Sequence, residues 1–239
     1  MREFGVVMPF SSRNYTDSSG RIPRDSDFAR WQMRSARLVM HHLDGLDNCV
    51  FYCTSDALFK GPFERSTAIN RGVQLLHADA PHIKRFVIAD SDTLISEKSL
   101  FEGFESTAPV TLPYHWYYTL TPEATQKVYD KHDQQKLYFH EPVEGEYEHR
   151  IQSYSGYVIF DLEAFLDLGG FDTEFKGWGW EDTAMRLKAE HEYGPIERCG
   201  DFVNHLWHPR GDSMFGSEDE KRNRKLFFRK YARKYGYRP

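Results

Sequence analysis

Long apolar runs are missing from this sequence of 239 residues, and no segment approaches the roughly 20 apolar residues that a membrane-spanning helix needs. Cysteine is scarce too: the three residues Cys49, Cys53 and Cys199 are too few and too scattered for a disulfide framework or a cysteine-rich zinc site. The first ten residues lack the apolar region of a signal peptide. These absences exclude an integral membrane protein, and they lead us to expect a cytoplasmic protein of bacterial or phage origin.

Three common motifs of nucleotide-binding and hydrolytic enzymes are also absent. The chain has no G-x-x-x-x-G-K-[ST], no G-x-G-x-x-G and no G-x-S-x-G, which argues against P-loop, Rossmann dinucleotide and α/β-hydrolase chemistry. The formal net charge of -5 excludes a generally basic nucleic-acid binder. Residues 217–239 are different, since they hold nine Lys and Arg against three acids. We expect an amphipathic helix there that packs through Phe227, Tyr231 and Tyr235, with a patch for an anionic ligand as the alternative.

Strand-like and helix-like segments alternate along the first half of the chain. We predict strands at Phe4–Met8, Cys49–Thr54 and Arg85–Ala89, and helices at Phe28–Leu43 and Arg65–Ala78. This alternation is typical of an α/β domain with a mostly parallel central sheet flanked by helices. Ligands of such sheets bind beyond the carboxyl ends of the strands, which singles out residues 9–14, 54–56 and 90–92. In the second of these segments, Asp56 is a candidate base or ribose contact.

The second half of the chain is less regular between residues 113 and 152. After it we predict a strand at Tyr157–Leu162 and helices at Leu162–Leu168, Glu181–Glu190 and Glu218–Tyr235. The whole chain is expected to form a single domain.

Asp90 and Asp92 follow the wholly apolar stretch Phe86–Ala89. Alternate residues of an extended segment point the same way, so the two carboxylates can face one cation, or one cation and one ligand hydroxyl. A solvated strand end would explain two acids equally well, but folding alone does not require them at the end of a buried strand. The pattern therefore makes this strand end a candidate ligand site.

The segment Gly177–Asp182 reads GWGWED. Glycines beside tryptophan let the backbone turn sharply and place a ring against a ligand, and acids in the first turn of a helix are favoured by its dipole. Helix capping explains Glu181 and Asp182, but it does not explain two tryptophans among glycines. The segment indicates a ligand-binding loop.

His205 and His208 are close enough in sequence to bind one metal ion. Neutral imidazole together with carboxylate suits Mn, Fe or Zn. A single histidine is more often structural, but two of them and an upstream D-x-D favour a metal site.

Together these segments resemble the nucleotide-sugar glycosyltransferases of the GT-A type. The similarity is to the β-1,4-galactosyltransferase family, with kinship to polypeptide N-acetylgalactosaminyltransferases and bacterial chondroitin polymerases. VMPFSSRN at residues 7–14 resembles the family's IPFRNR motif, and the helix from Phe63 to Gly72 resembles FNRAKLLNVG. Asp90-Ser91-Asp92 takes the place of the D-x-D, and GWGWED resembles GWGGED. Ser11 stands where the family has an arginine, and His205 where it has a methionine.

The resemblance implies a GT-A (Rossmann-like) fold, with a nucleotide-binding half at residues 1–112, an acceptor and catalytic half at 113–216, and the basic C-terminal helix at 217–239. It implies an inverting transfer of a hexose or N-acetylhexosamine from a UDP-sugar to a hydroxyl group, with Mn²⁺ or Mg²⁺ as cofactor. The acceptor, a glycan, a protein or a modified nucleic-acid base, is left open.

The resemblance also implies roles for individual residues. Nucleotide and donor sugar would be contacted by Pro9, Phe10, Arg13, Arg65, Asp90 and Gly156. The cation would be held by Asp92, His208 and His205. Asp182 would be the catalytic base, with Glu181 beside it holding a sugar. Trp178 would be a stacking platform for the acceptor, next to Trp180.

Two other classes of protein stay open at this point. A non-catalytic sugar-binding module on the same fold would bind the donor without transfer. A metal-dependent phosphohydrolase would release phosphate without any sugar nucleotide, and it would need more clustered carboxylates than one D-x-D.

Overall fold

The computed structural model describes residues 3–10, 27–44, 46, 48–55, 63–133, 146–208 and 216–237. The strands in chain order are β1 (Phe4–Pro9), β2 (Cys49–Thr54), β3 (Arg85–Ala89), β4 (Thr93–Ile95), β5 (Val110–Leu112), β6 (Trp116–Leu120), β7 (Tyr147–Ile151), β8 (Tyr157–Asp161), β9 (Glu197–Arg198) and β10 (Phe202–His205). The helices are α1 (Asp27–Asp44), α2 (Arg65–Asp79), α3 (Glu97–Glu105), α4 (Pro122–Asp133), α5 (Leu162–Asp167), α6 (Glu181–Tyr193) and α7 (Glu218–Phe227). A π-helical turn at Phe228–Ala232 continues α7.

The larger sheet has the strand order β2-β1-β3-β8-β5-β9. β1 runs parallel to β2 and β3, and β5 runs parallel to β9. These pairings confirm the expectation of an α/β fold with a mostly parallel sheet. The sheet is nevertheless mixed, since β8 runs antiparallel to both β3 and β5. As a result, the start of β8 lies beside the end of β3.

A smaller sheet has the order β4-β10-β6-β7. β10 pairs antiparallel with β4 and parallel with β6. Sequence patterns left residues 113–152 without regular elements, but the structure forms β6, α4 and β7 there. These elements were not recognised because short strands with mixed aromatic and polar residues carry little periodicity.

The main core lies between the larger sheet and its helices, and α2 packs closely over β1 and β2 at Gly72. A Cβ atom at this position would collide with the side chains of Val7 and Thr54, so glycine is needed for the close approach. A second apolar cluster joins α6 to the C-terminal helix through Phe175, Ala184, Leu187, Leu226, Phe227, Tyr231 and Ala232.

Packing of the C-terminal helix through Phe227 and Tyr231 is therefore confirmed. The α-helix ends at Phe227, short of the expected Tyr235. Among the described helices, none is long and apolar enough to cross a lipid bilayer.

Candidate functional site

The turn that carries Asp90 and Asp92 lies at the carboxyl end of β3. The backbone N–H and the hydroxyl of Thr93 donate to the carbonyl of Asp90, at 3.2 and 2.9 Å, and close the turn. The N–H of Asp90 donates to the carbonyl of Gly156 at 2.8 Å, just before β8 begins. Backbone contacts from two neighbouring strands therefore fix this turn at the edge of the sheet where ligands of α/β folds bind.

Arg65, the first residue of α2, joins carboxylates from two other parts of the fold. Its Nε and Nη2 donate to Oδ1 of Asp90, at 2.9 and 2.7 Å, and its Nη1 donates to Oδ1 of Asp182 at 2.7 Å. The other oxygen of Asp90 accepts the N–H of Gly156 at 3.0 Å. Glu181 Oε1 lies 3.8 Å from Arg65 Nη1. One guanidinium group thus connects the end of β3 to the first turn of α6.

Three residues expected to contact the donor lie in or beside this network. Arg65 and Asp90 are turned toward each other, and their contacts with a nucleotide stay a prediction. Gly156 has a φ of +92°, and a Cβ atom there would lie 3.0 Å from the ring of Tyr117. A side chain at position 156 would therefore be strained as well as crowded.

Burial gives the carboxylates of this network unusual proton affinities. Burial, reinforced by the neighbouring charge of Asp182 and opposed by Arg65, raises the pKa of Glu181 to about 7. Its Oε2 is buried and has no hydrogen-bond partner among the described residues. Burial also raises the pKa of Asp90, against the attraction of Arg65. A carboxyl group with a pKa near neutrality can hold or release a proton at physiological pH.

Asp92, His205 and His208 form a second cluster beside the network. One ligand atom from each lies within 4.8 Å of the others, and Oδ2 of Asp92 is 3.6 Å from Nε2 of His205 and 3.3 Å from Nε2 of His208. His205 ends β10 and pairs with Thr93 of β4. The N–H of Leu206 donates to the carbonyl of Asp92 at 2.8 Å. The sheet register therefore brings residues more than 100 positions apart to one point.

The donor set of this cluster fits a divalent cation. Burial opposes the charged form of Asp92, but the two imidazoles outweigh it and hold the pKa of Asp92 well below its usual range. Nδ1 of His205 is buried without a hydrogen-bond partner in the described part of the chain. One carboxylate with two imidazoles suits Mn, Fe or Zn. The structure thus assembles the three residues expected to hold the metal, and their role as ligands stays a prediction.

The two tryptophans of the GWGW segment have different surroundings. Trp178 lines a cleft with Ser155, Gly179 and the two acids at the start of α6. Trp180 borders the same cleft, but its indole ring lies 4.8 Å from the ring of Phe227, and its N–H donates to Glu220 at 2.8 Å. The ring of Trp180 is therefore held by α7, and its expected contact with an acceptor stays a prediction.

The remaining expected residues lie along the β1 edge or outside the described part of the chain. Pro9 ends β1, and Phe10 follows it with its N–H donating to the carbonyl of Thr54 at 2.9 Å. Arg13 and Asp56 fall outside the described residues, so their roles stay predictions.

Sequence patterns missed three side chains that support the site. Tyr117 stacks on His205 with ring centroids 5.6 Å apart. Glu220 and Asn223 of α7 contact the GWGW segment. No local pattern marks these residues, since each acts on a segment far away in the chain.

Part of the sequence and the whole fold are similar to those of known proteins. Residues 141–209 match the family model described as the N-terminal domain of galactosyltransferase. Glucosyl-3-phosphoglycerate synthase from Mycobacterium tuberculosis is similar in structure with a TM-score of 0.50, at 10% identity, over 100% of this chain and 81% of that chain. The whole chain therefore has the GT-A fold, and residues 141–209 resemble a galactosyltransferase domain.

The catalytic domain of Drosophila β1,4-galactosyltransferase 7 is also similar in structure to this chain. It has a TM-score of 0.49 and 14% identity, over 94% of this chain and 80% of that chain. No curated protein sequence matches this chain.

The raised pKa of Glu181 predicts a pH-dependent stability. In the unfolded chain the carboxyl group has its ordinary pKa of 4.5, whereas in the folded protein its pKa is about 7. The stability associated with the protonated form is therefore lost as pH rises from below 4.5 through 7. We expect Glu181→Gln to be more stable relative to wild type at pH 8 than at pH 4.5, by up to about 3 kcal/mol. Denaturant unfolding at both pH values measures this difference.

The exposed Glu192 on the same helix offers a matched control. Glu192→Gln should shift stability by similar small amounts at both pH values. If Glu181→Gln behaves in the same way, Glu181 does not have a raised pKa.

Proposed function

We propose that this protein is a metal-dependent, inverting glycosyltransferase that moves a hexose or N-acetylhexosamine from a UDP-sugar to an acceptor hydroxyl group. The observation that carries the proposal is the juxtaposition of two clusters in a GT-A fold. A metal-type donor set is formed by Asp92, His205 and His208. Beside it, Arg65 connects the end of β3 to the carboxylates that begin α6. One cluster suits a diphosphate with its cation, and the other suits proton transfer from a hydroxyl group.

The donor half of the proposal places a divalent cation, Mn²⁺ or Mg²⁺, on Asp92, His205 and His208. Such a cation would neutralise the diphosphate leaving group as a Lewis acid. The structurally similar synthase from Mycobacterium tuberculosis has been crystallised with Mn²⁺ and UDP, which supports the choice of metal and nucleotide. Pro9 and Phe10 at the end of β1 lie at the edge of the sheet where the nucleotide is expected.

In the acceptor half of the proposal, Asp182 is the base that takes the proton of the acceptor hydroxyl group. In an inverting transfer, the base takes the proton of the acceptor hydroxyl on the face of the sugar opposite the diphosphate. Asp182 lines the cleft with Trp178, and its carboxylate is oriented by the 2.7 Å hydrogen bond from Arg65. Glu181 also lines this cleft and would hold a sugar hydroxyl. The ring of Trp178 would stack on the apolar face of the acceptor sugar.

Asp92 is expected to control metal-dependent nucleotide binding. Titration calorimetry of the wild-type protein with UDP should show binding that requires Mn²⁺, and Asp92→Ala should weaken it by at least about tenfold, because the only carboxylate of the donor set is lost. Asp167→Ala, which removes an exposed acid on α5, is the control. If UDP binds with the same affinity without Mn²⁺ and in Asp92→Ala, the assignment of the metal ligands is wrong.

Asp182 is expected to control transfer rather than donor binding. Asp182→Asn keeps the size and an oxygen acceptor for Arg65 but cannot accept the proton, so we expect transfer to fall about 10²- to 10⁴-fold. Affinity for UDP with Mn²⁺ should stay within about twofold. The rate is measured as glycoside product from UDP-glucose, UDP-galactose and their N-acetyl forms with a panel of glycosides.

The same screen separates the alternatives. A sugar-binding module would bind UDP-sugars without forming any glycoside, and a phosphohydrolase would release phosphate without one. Transfer by Asp182→Asn at a rate near that of wild type would show that another group is the base. The identity of the donor sugar and the acceptor class stay open. The cytoplasmic location and the division of the chain into two halves and a C-terminal helix stay predictions.

A further inference from the structure

Helix α7 lies directly against the segment Lys176–Trp180, which leads into the two acids of the site. The backbone of Gly177 is in the left-handed region, with a φ of +69°, and a Cβ atom there would collide with the carboxylate of Asp219 on α7. Gly177 therefore permits a close approach between this segment and α7, in addition to the turn itself.

Asn223 of α7 satisfies the backbone of this segment from within the protein. Its side chain is fully buried. Its Nδ2 donates to the carbonyls of Lys176 and Trp178, at 3.0 and 3.1 Å, and its Oδ1 accepts the N–H of Lys176 at 3.3 Å. Buried backbone groups need such partners, and here a side chain more than 40 positions away supplies them. The side-chain amide of Asn223 can take the place of the backbone partners that a helix or strand would supply, because it offers both N–H donors and a carbonyl acceptor.

Glu220 holds the last residue of the segment. The carboxylate of Glu220 accepts the indole N–H of Trp180 at 2.8 Å, and the Trp180 ring packs on Phe227, about two turns of helix further on. Trp180 has a φ of +75° and is the N-cap of α6. A bulky residue rarely adopts this conformation without support from its surroundings. The next two residues are Glu181 and Asp182, so the conformation of Trp180 sets the direction in which both acids enter the cleft.

We propose that α7 is a positioning element for catalysis, in which Glu220 and Asn223 hold Lys176–Trp180 so that Glu181 and Asp182 face the cleft. Neither residue touches the cleft itself; both act through the loop. The inner face of the basic C-terminal segment therefore positions the loop that carries the two acids. This role does not depend on whether the charged outer face binds a ligand. This inference rests on the proposed transferase function.

The test compares Glu220→Ala, Glu220→Gln and Asn223→Ala with wild type. Glutamine keeps an oxygen acceptor for the Trp180 N–H, whereas alanine removes it. We expect Glu220→Ala and Asn223→Ala to lower kcat of glycoside transfer at least about tenfold, since small displacements of catalytic groups are costly. Affinity for UDP with Mn²⁺, measured by calorimetry, should stay within about twofold because the donor cluster lies on other elements. Glu220→Gln should recover most of the lost kcat.

Hydrogen exchange of the backbone gives a second measurement that needs no acceptor. Amides in residues 176–182 should exchange faster in both alanine variants, while those of β3 and β10 should not change. Lys225→Ala, on the exposed face of the same helix, is the control and should match wild type in every measurement. If Asn223→Ala fails to fold, the pair of Glu220 variants still decides the question.

Three results would overturn the inference. The first is unchanged exchange of residues 176–182 in Glu220→Ala. The second is a parallel fall in transfer and UDP affinity, and the third is a Glu220→Gln variant as impaired as Glu220→Ala; both would indicate general destabilisation. Failure of the proposed function looks different: wild type itself would bind no UDP with Mn²⁺ and form no glycoside, and the exchange measurement alone would then judge the role of α7.

Discussion

The ion-pair network of Arg65 is the interaction on which the arrangement of the site depends. Three carboxylates converge on one guanidinium: Asp90 follows the end of β3, and Glu181 and Asp182 begin α6. Without the positive charge, Asp90, Glu181 and Asp182 would repel each other in a poorly solvated place. Burial raises the pKa of both Asp90 and Glu181 even with Arg65 present. Asp90 and Glu181 therefore bind a proton more tightly than free carboxyl groups do, although Arg65 lies beside them.

The metal-type cluster depends on a different constraint, the register of the smaller sheet. Asp92 precedes β4 and His205 ends β10, and the antiparallel pairing of these two strands sets His205 opposite Thr93. A shift of one residue would turn the histidine to the other face of the sheet. Parallel pairing of β10 with β6 then places Tyr117 against the imidazole of His205. The smaller sheet therefore brings the D-x-D segment and the segment with the two histidines together at one site.

Local sequence patterns were sufficient for the elements with strong periodicity or a continuous apolar run. The bounds of β2 and β3 agree with the prediction because both are short runs of apolar and β-branched residues bounded by turn-forming ones. The residues that form the two clusters were also expected at the site, from the D-x-D, GWGWED and histidine segments and from the family resemblance. Local patterns did not identify the interactions between these residues. Arg65 was expected to contact the nucleotide, and nothing in its neighbours along the chain indicates that it forms ion pairs with Asp90 and Asp182. Long-range ion pairs leave no periodic signal.

The C-terminal helix shows why composition alone misjudges a segment. Its many lysines and arginines indicate a solvated face, and that face exists, but the inner face carries the buried Glu220 and Asn223. The energies favour this arrangement. Holding a non-glycine residue such as Trp180 in a left-handed conformation costs about 1–2 kcal/mol. A hydrogen bond from its indole to a carboxylate contributes about 1.5–3 kcal/mol, and the packing of its ring on Phe227 adds to that. The contacts from α7 therefore stabilise Trp180 enough to offset the cost of its left-handed conformation. Because Glu181 and Asp182 follow directly, the conformation of Trp180 sets the orientation of both acids.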